Sequence, residues 1–365
     1  MDDFIKWHEK NKEPQLYGRY ITHEMIAPIL KDLTRDFNVE QIGWSYNGIP
    51  INKVIAGKGR IKILIWSQMH GNEATGTKAL FDVLRYLKNE ADSLFGNQVL
   101  ANCTLICLPI INPDGAAVYT RLNAQQIDLN RDAIDRKAPE SQLLNEILTN
   151  EKPDYCFNLH DQRVIFSVGN HNLPATLSFL APSEDEKRTL TKGRKRTMCV
   201  INAMYQILKD YLPGQIGRFS DEFYPTATGD TFQKRGFPTI LIETGHFKGD
   251  YQREIVRRYN FLALLTGILY ISNPKKSKSY VPYFQIPENK QYSLDIIFKN
   301  TYLVDKEKLT DIGVLYEEKL IDNEIHFIPK IAYEQDLSAY NADKIIDLEG
   351  QKVTEKDLLQ RLIKK

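Results

Sequence analysis

The length and charge of the chain exclude several classes of protein. It has 365 residues, of which 42% are hydrophobic, and its 48 basic side chains are balanced by 47 acidic ones. Such a chain can bury a substantial core, and its length suits one large domain with a small one beside it. Because the charges cancel, we expect neither nucleic acid nor a membrane surface as a partner. Nothing in the sequence indicates an oligomeric state.

The N-terminus and the longest apolar stretch indicate a cytoplasmic protein. The opening residues lack the basic start and apolar core of a secretory signal. The apolar stretch at 261–271 is too short to cross a bilayer. The chain as given is therefore expected to be cytoplasmic. Its cysteines are expected to be buried free thiols, at positions 103, 107, 156 and 199.

The first part of the chain has the pattern of a wound α/β sheet. Residues 22–37 have helical periodicity, and 39–56 alternate in the way that predicts a hairpin. The apolar run 63–66 predicts a strand buried on both faces, and 74–89 an amphipathic helix. Strand, turn and helix in this order form the repeating unit of a wound sheet.

The turn between that strand and helix carries His70 and Glu73. An imidazole nitrogen and a carboxylate three residues apart can reach one cation. Together with a distant histidine and a water, they form the ligand pattern of catalytic zinc. The pair alone is weak evidence, because surface His and Glu also fall at this spacing by accident.

The middle of the chain continues the alternation and contains one long loop. The apolar run 104–110 predicts the next strand, which the turn at 112–115 stops. Residues 116–138 show little periodicity, and loops of this length in compact domains are often functional. A helix at 140–149 and a strand at 155–159 follow. The loop holds Arg121, Asp128, Asn130 and Arg131.

A capping box predicts where the next helix begins. Ser183 with Glu186 three residues later predicts a helix over 183–211. Its basic run at 192–196 is expected to form a solvated helix face, because no aromatic residues interleave with the charges as stacking on nucleic acid would require.

The last third of the chain changes composition at a linker. The run 239–242 predicts a strand and 251–271 a closing helix, which completes a domain over 1–272. Residues 273–280 have linker composition, and 281–365 are expected to form a small α+β domain of unknown role. Its predicted elements are strands within 292–304 and 313–333 and a helix at 355–365.

Each of the four predicted inner strands ends in a polar cluster. In open α/β sheets, ligands bind in the crevice outside the carboxyl ends of the strands. All four clusters would therefore lie around one crevice. The third zinc ligand would then be His160. The clusters are at 68–73, 112–115, 160–163 and 243–246.

Five short motifs, in this order, resemble the zinc carboxypeptidase (funnelin) family. The likeness covers about residues 40 to 272, including a pattern from Gly43 to Ile51 that resembles the opening of that fold. It implies an α/β fold with a mixed central sheet and helices on both faces, followed here by the small α+β domain. The motifs are His-Gly-Asn-Glu at 70–73, Asn-Pro-Asp-Gly at 112–115, Asp-Leu-Asn-Arg at 128–131, Asn-Leu-His at 158–160 and Ile-Glu-Thr at 242–244.

The resemblance implies one zinc ion held by His70, Glu73 and His160. By the same resemblance, Glu243 takes a proton from a zinc-activated water and returns it to the leaving amine.

The loop residues also acquire roles from the resemblance. Arg121 resembles the arginine that stabilises the oxyanion, and Asp128 the carboxylate that orients a zinc-bound histidine. Asn130 and Arg131 resemble the pair that grips the terminal carboxylate of the substrate. Tyr224 is an approximate counterpart of the mobile tyrosine that covers the substrate.

Taken one at a time, these residues also have ordinary explanations. Asp128 can close an Asx turn, Arg121 can be a surface cation, and Asn112 can form a turn. Residues 161–163 depart from the family, so an extra Asp and Arg at the mouth are expected to alter substrate preference. The remaining histidines, at 8, 23, 171, 246 and 326, have no partner pattern and are expected to be structural or exposed.

The function implied by the resemblance is that of a zinc metallocarboxypeptidase, a hydrolase that releases the C-terminal residue of a peptide. The free carboxylate of the substrate would meet Arg131. An amidohydrolase that acts on N-acyl amino acids or murein-type peptides would share the same residues. A non-catalytic zinc or peptide-binding module is the third possibility; loss of Glu243 or of a ligand would mark it, and neither is lost.

Overall fold

The computed structural model describes residues 2–169, 173–273, 275 and 279–363. The helices are α1 (Asp2–Asn11), α2 (His23–Leu33), α3 (Thr75–Asn89), α4 (Leu94–Asn102), α5 (Pro113–Ala117), α6 (Pro139–Glu151), α7 (Lys192–Leu208), α8 (Thr228–Lys234), α9 (Glu254–Ser272) and α10 (Glu355–Ile363). The strands are β1 (Asn38–Trp44), β2 (Pro50–Ala56), β3 (Ile61–Ser67), β4 (Cys103–Leu108), β5 (Tyr155–Asp161), β6 (Ser167–Val168), β7 (Leu173–Pro174), β8 (Leu177–Leu180), β9 (Ile216–Arg218), β10 (Thr239–Thr244), β11 (Asn289–Lys290), β12 (Ser293–Leu303), β13 (Lys308–Ile321), β14 (Glu324–Gln335), β15 (Asn341–Asp347) and β16 (Lys352–Val353).

The larger sheet has eight strands in the order β1-β2-β4-β3-β5-β10-β8-β9. The four central strands β4, β3, β5 and β10 are parallel to one another. Antiparallel pairs flank them, because β2 pairs with β1 and β4 on one side and β8 pairs with β10 on the other. The predicted mixed sheet is confirmed, and the hairpin predicted at 39–56 is β1 and β2.

Alternate residues of the central strands pack on opposite faces of this sheet. On β3, Ile63 and Ile65 belong to the core beneath α3, α7 and α9, whereas Leu64 and Trp66 belong to the core beneath α6 and α8. All four side chains are fully buried. A strand covered on both faces reads as a continuous apolar run, which is why this one was predictable. The prediction of helices on both faces is confirmed.

The helix predicted from Ser183 begins nine residues later, and that prediction is wrong. Helix α7 starts at Lys192, and the Thr191 hydroxyl caps it by accepting the Arg194 N–H at 3.1 Å. Ser183 instead donates its hydroxyl to the Asp221 carbonyl at 2.6 Å. Arg194 is also buried and pairs with Asp221, so the basic run is only in part a solvated face. Tertiary contacts have overruled the local capping signal.

The C-terminal strands form a second sheet in the order β14-β13-β12-β15, with β16 paired to β12. Helix α10 packs on it, since Leu358 lies in one core with Ile296 and Phe298. The residues just before this second sheet pack against the larger sheet instead. Tyr283 and Ile286 lie in the core of that larger sheet. The division into domains at 273–280 stays a prediction.

Specific contacts join the second sheet to the first part of the chain. The Arg19 guanidinium pairs with Glu318 of β13 at 2.9 Å. His246, which follows β10, pairs with Asp343 of β15 at 2.8 Å. The ring of Tyr251 packs edge-on against aromatic rings of β13 and β14. These contacts fix the position of β13 beside the carboxyl ends of the central strands.

Two further sequence expectations concern membrane-spanning segments and the cysteine thiols. Within the described ranges, no helix has both the length and the apolar character that crossing a bilayer requires. The four cysteines are buried thiols that form no disulfide, as predicted. Burial raises the pKa of the Cys107 and Cys156 thiols well above the ordinary value, so these groups pack as small apolar side chains.

A buried ionic cluster fixes the N-terminal helix to the core. Asp82 of α3 is fully buried and accepts two hydrogen bonds of 2.7 Å from the Arg257 guanidinium of α9. It also accepts the Glu13 N–H at 2.8 Å and contacts His8 Nε2 at 2.9 Å. These partners hold the pKa of Asp82 below its ordinary value although burial acts to raise it. One carboxylate thus joins α1, α3 and α9.

Replacing Asp82 with Ala should destabilise the protein strongly, because it removes the buried carboxylate that accepts two hydrogen bonds from Arg257 and leaves Glu254 as the remaining ionic partner of that guanidinium. We expect the free energy of unfolding, measured by urea denaturation, to fall by about 3–5 kcal/mol. The control is Asp135→Ala, which removes an exposed carboxylate paired with Lys137 and should leave the curve unchanged. A loss below about 1 kcal/mol for Asp82→Ala would show that the cluster does not hold the helices together.

Candidate metal centre and its cleft

The register of the parallel sheet places His160 beside Glu243. In the pairing of β5 with β10, these two residues lie opposite each other, near the carboxyl ends of the strands. Paired residues on adjacent parallel strands project from the same face of the sheet. The ligand and the base that the resemblance implies are therefore neighbours because of backbone pairing alone.

The turn after β3 interlocks with the turn after β4. A Cβ on Gly71 would lie 2.0 Å from the carbonyl carbon of Gly115, so only glycine permits this approach. The Asn112 side-chain amide donates to the Met69 carbonyl at 3.2 Å, and its oxygen accepts the Gly115 N–H at 2.8 Å. This contact fixes the backbone on both sides of His70 and explains why Asn112 and Gly115 stand at the two ends of the Asn-Pro-Asp-Gly motif.

His70, Glu73 and His160 meet with their potential ligand atoms within 4.8 Å of one another. His70 Nδ1 lies 2.8 Å from one Glu73 carboxylate oxygen, and His160 Nδ1 lies 2.8 Å from the other. The two Nδ1 atoms are 3.2 Å apart. All three residues are buried. Two imidazole nitrogens and a carboxylate facing one point form the donor set of a catalytic zinc site, so these residues fit the metal.

Asp128 fixes the tautomer of His70. Its Oδ1 lies 3.0 Å from His70 Nε2 and also accepts the Asn130 N–H at 2.9 Å. A carboxylate accepts a proton at Nε2, which leaves the lone pair of Nδ1 free for a cation. Although burial acts to raise it, the pKa of Asp128 lies well below its ordinary value because His70 and Arg121 hydrogen-bond to the carboxylate.

Arg121 lies beside Asp128 and Glu73, and its side chain remains partly exposed. Its Nε donates to Asp128 Oδ2 at 3.1 Å, and its Nη1 donates to Glu73 Oε1 at 3.2 Å. The guanidinium is therefore held at the edge of the metal group by two carboxylates and keeps a side toward the cleft. A fixed cation in this position can stabilise negative charge on a substrate oxygen.

Asn130 and Arg131 follow in the same loop, in a short 3₁₀ turn. The Asn130 amide oxygen accepts the Thr228 N–H at 3.1 Å, so its NH₂ group is the part left for a ligand. The Arg131 guanidinium lies 4.6 Å above the ring of Tyr224. Arg131 and Asn130 line the cleft, whereas Tyr224 reaches it only through this stacking.

Glu243 is buried among carboxylates and arginines that act on its pKa in opposite directions. Burial raises the pKa of Glu243 well above its ordinary value, and the Glu73 and Asp161 carboxylates raise it further. Arg121 and Arg253 act in the opposite direction. A carboxyl group with a raised pKa in a cleft is suited to accept a proton and to release it again.

Asp161 is among the residues that line the cleft, but its carboxylate is bound by other protein groups and is not free at the mouth. Its expected effect on substrate preference stays a prediction. The Asp161 side chain is 3% exposed and pairs with Arg253 at 3.0 Å. It also accepts the Thr75 hydroxyl at 2.8 Å, and its own N–H donates to Glu73 at 3.1 Å. Asp161 thus contacts Arg253, Thr75 and Glu73, and it helps to hold Glu73 in position. No motif links Arg253 to this position, so the sequence could not reveal the pair. Arg163, in contrast, is exposed and lines the cleft.

The remaining histidines fall into the two expected groups where the structure describes them. His8 and His246 are buried and each pairs with an aspartate. His326 is exposed on β14 and His23 is partly exposed on α2. His171 lies outside the described residues.

His70, Glu73 and His160, which form the candidate metal group, lie in a cleft of about 830 Å³. One wall comes from residues of the second sheet, a contribution that no sequence pattern indicated. The lining residues from that sheet are Asp295, Leu315, Tyr316, Glu317 and Glu318.

Relatives of this chain are carboxypeptidases. It is 27% identical over 144 residues to carboxypeptidase SOL1 of Arabidopsis thaliana, a match that covers 36% of this chain and 29% of the relative. It is 28% identical over 102 residues to carboxypeptidase 2 of Trichophyton tonsurans, which covers 27% of this chain and 19% of the relative. The chain therefore spans less than a third of the curated relatives that it matches.

Solved structures share the fold at low identity. A metallo-carboxypeptidase of Burkholderia cenocepacia superposes with a TM-score of 0.55 at 15% identity, covering 69% of each chain. A metallo-carboxypeptidase of Pseudomonas aeruginosa, in complex with (2-guanidinoethylmercapto)succinic acid, has a TM-score of 0.54 at 16% identity and covers 68% of each chain. The family model for zinc carboxypeptidase matches residues 29–229, more than half of this chain. The chain belongs to the zinc carboxypeptidase family.

Proposed function

We propose that this protein is a zinc-dependent carboxypeptidase that hydrolyses the C-terminal peptide bond of its substrates. The observation that carries the proposal is the meeting of two imidazole Nδ1 atoms and a carboxylate in a cleft that Glu243 also lines. A non-catalytic binding module would not need a protonatable carboxyl group opposite one of the ligands. One ion at this site and a cytoplasmic location stay predictions.

His70, Glu73 and His160 would hold the zinc ion. When bound, zinc lowers the pKa of a water molecule and polarises the scissile carbonyl group. Glu243 takes the proton of the attacking water on its carboxylate. It then gives a proton to the nitrogen of the leaving amine, which completes hydrolysis without a net change at Glu243.

Arg121 would act on the carbonyl oxygen of the scissile bond. As the bond is attacked, negative charge develops on this oxygen, and a guanidinium already fixed by two carboxylates can stabilise it without reorganising. Asp128 acts through His70, whose ring it holds in the required tautomer.

Asn130 and Arg131 would bind the terminal carboxylate of the substrate. The planar guanidinium of Arg131 can form two hydrogen bonds to a carboxylate, and the Asn130 NH₂ group can add a third. Tyr224, stacked on Arg131, would cover the bound residue. The clamp selects a substrate by its free end, which favours removal of single C-terminal residues.

Replacing Glu243 with Gln should abolish turnover and leave zinc in place, because the amide keeps the shape but cannot accept the proton. We expect kcat to fall by about 10²–10⁴-fold with unchanged zinc content, measured by peptide hydrolysis and elemental analysis. Glu146→Gln, an exposed change on α6, is the control. Activity of Glu243→Gln within a few-fold of wild type would refute its role.

Replacing Asp128 with Asn should weaken zinc binding, because the amide no longer requires the proton to be at His70 Nε2. We expect zinc affinity, measured by competition with a chromophoric chelator, to fall by about 10–100-fold. Asp135→Asn, an exposed change in the same loop, should bind zinc like wild type. Equal affinities of the Asp128 variant and wild type would contradict the assigned contact.

Replacing Arg131 with Ala should impair only those substrates that carry a free carboxylate. For such peptides we expect kcat/KM to fall by about 100-fold, since a charge-assisted hydrogen-bond pair is lost. C-terminally amidated peptides should be poor substrates of both proteins, to the same degree. Arg136→Ala, exposed in the same loop, is the control. Efficient cleavage of amidated peptides by wild type would contradict the exopeptidase proposal.

The same assays separate the peptidase from the amidohydrolase function. Wild type should hydrolyse peptides faster than N-acyl amino acids that carry the same C-terminal residue. A preference for N-acyl amino acids would instead indicate an amidohydrolase with the same zinc-binding residues.

A further inference from the structure

Part of the second sheet forms a wall of the cleft, and the proposed mechanism does not use it. The wall consists of residues 315–318 of β13, and all four of them line the cleft that holds the metal group. Successive side chains of a strand point to opposite faces of its sheet. A run of four lining residues therefore shows that β13 meets the cleft with its edge.

Contacts at both ends hold this wall in place. At one end, Glu318 pairs with the Arg19 guanidinium at 2.9 Å and accepts a hydrogen bond from the Tyr119 hydroxyl. At the other end, the N–H of Ser293 on β12, the strand paired with β13, donates to the Ile165 carbonyl at 3.2 Å. Arg19, Tyr119 and Ile165 line the cleft themselves. The wall is therefore joined to two other segments that border the same cleft.

The proposed clamp, formed by Asn130 and Arg131, lies on the other side of the metal group from this wall. Asn130 is hydrogen-bonded to the first residue of α8, and Leu129 packs in the core beneath α6 and α8. The wall instead packs on Tyr251, whose ring centroid lies 5.4 Å from that of Tyr316. Tyr251 lies three residues before α9, which covers the opposite face of the sheet. The metal group lies at the strand ends, between these two faces.

This arrangement sets the direction in which a bound peptide runs. With its terminal carboxylate at the clamp and its scissile bond at the metal group, the peptide continues away from the clamp. Its upstream residues therefore run toward the wall. The cleft volume of about 830 Å³ lies within the range of about 300–1,000 Å³ that is usual for small-molecule sites. A peptide of a few residues fits such a site, whereas a longer chain must pass the wall.

We propose that the wall at 315–318 limits the length of the substrate, so that the protein cleaves peptides of about two to four residues in preference to longer chains. This inference rests on the proposed function, because it places the scissile bond at the metal group. The wall discriminates by a steric clash with upstream residues and takes no part in bond cleavage. The substrate class is thus short peptides and not the C-terminal tails of proteins.

The test compares peptides that share the scissile bond and the C-terminal residue and differ only in length. All are N-acetylated and extended upstream with glycine and serine, which keeps the charge constant and avoids bulky side chains. For the zinc-loaded wild type, kcat/KM should be highest for peptides of up to about four residues. It should fall at least about tenfold by a length of about ten residues, because each added residue extends the chain by about 3.3–3.6 Å toward the wall.

Tyr316→Ala should relax this limit, because it removes the largest side chain of the wall and leaves the backbone in place. We expect the ratio of kcat/KM for the longest peptide to that for the shortest to rise at least about threefold. The control is Tyr302→Ala, which removes a tyrosine that is also half-buried on the same sheet but does not line the cleft. Its ratio should equal that of wild type. Thermal melting checks that both variants are folded, and the length series on wild type needs no variant.

Equal kcat/KM for short and long peptides on wild type would overturn the inference and leave the proposed function intact. So would a length limit that Tyr316→Ala and Tyr302→Ala change to the same extent, since the wall would then not be its cause. Failure of the zinc-loaded wild type to cleave any peptide, short or long, would contradict the proposed function itself and this inference with it.

Discussion

Backbone hydrogen bonds between two parallel strands set the geometry on which the rest of the site depends. Because β5 and β10 are paired in register, His160 and Glu243 occupy opposite positions at the same edge of the sheet. This placement does not depend on side-chain packing, so it is as rigid as the sheet itself. The turn after β3 then needs only to bring His70 and Glu73 to the same edge. The contact between Gly71 and the turn after β4 accomplishes this.

Electrostatics connect the ligands to the residues around them. Each carboxylate of the group has a definite set of donors: Glu73 faces two imidazoles and Arg121, and Asp128 faces His70 and Arg121. Asp161 is neutralised by Arg253. Glu243 differs, because burial and neighbouring carboxylates raise its pKa. The pKa values of Glu73 and Asp128 are thus lowered while that of Glu243 is raised, a difference that suits the separate roles which the proposed hydrolysis gives them.

Much of this arrangement was predictable, for identifiable physical reasons. The central strands are buried on both faces, so their sequences are continuous apolar runs, and each ends abruptly in polar residues. The motif order then indicated His70, Glu73, His160 and Glu243. Local signals failed where distant contacts compete with them, as at Ser183, whose hydroxyl bonds to Asp221 instead of capping a helix. The role of Asp161 and the cleft wall from the second sheet depend on pairs far apart in sequence, and no spacing rule reveals those.

The central claim is that His70, Glu73 and His160 bind a single zinc ion, with both histidines ligating through Nδ1. Anomalous diffraction at the zinc absorption edge, from crystals of the zinc-loaded protein, tests it most directly. We predict one strong peak in the cleft, bonded to Nδ1 of each imidazole and to the Glu73 carboxylate. A zinc-loaded crystal with no peak between these three side chains, or with the ion held by other residues, would contradict the account.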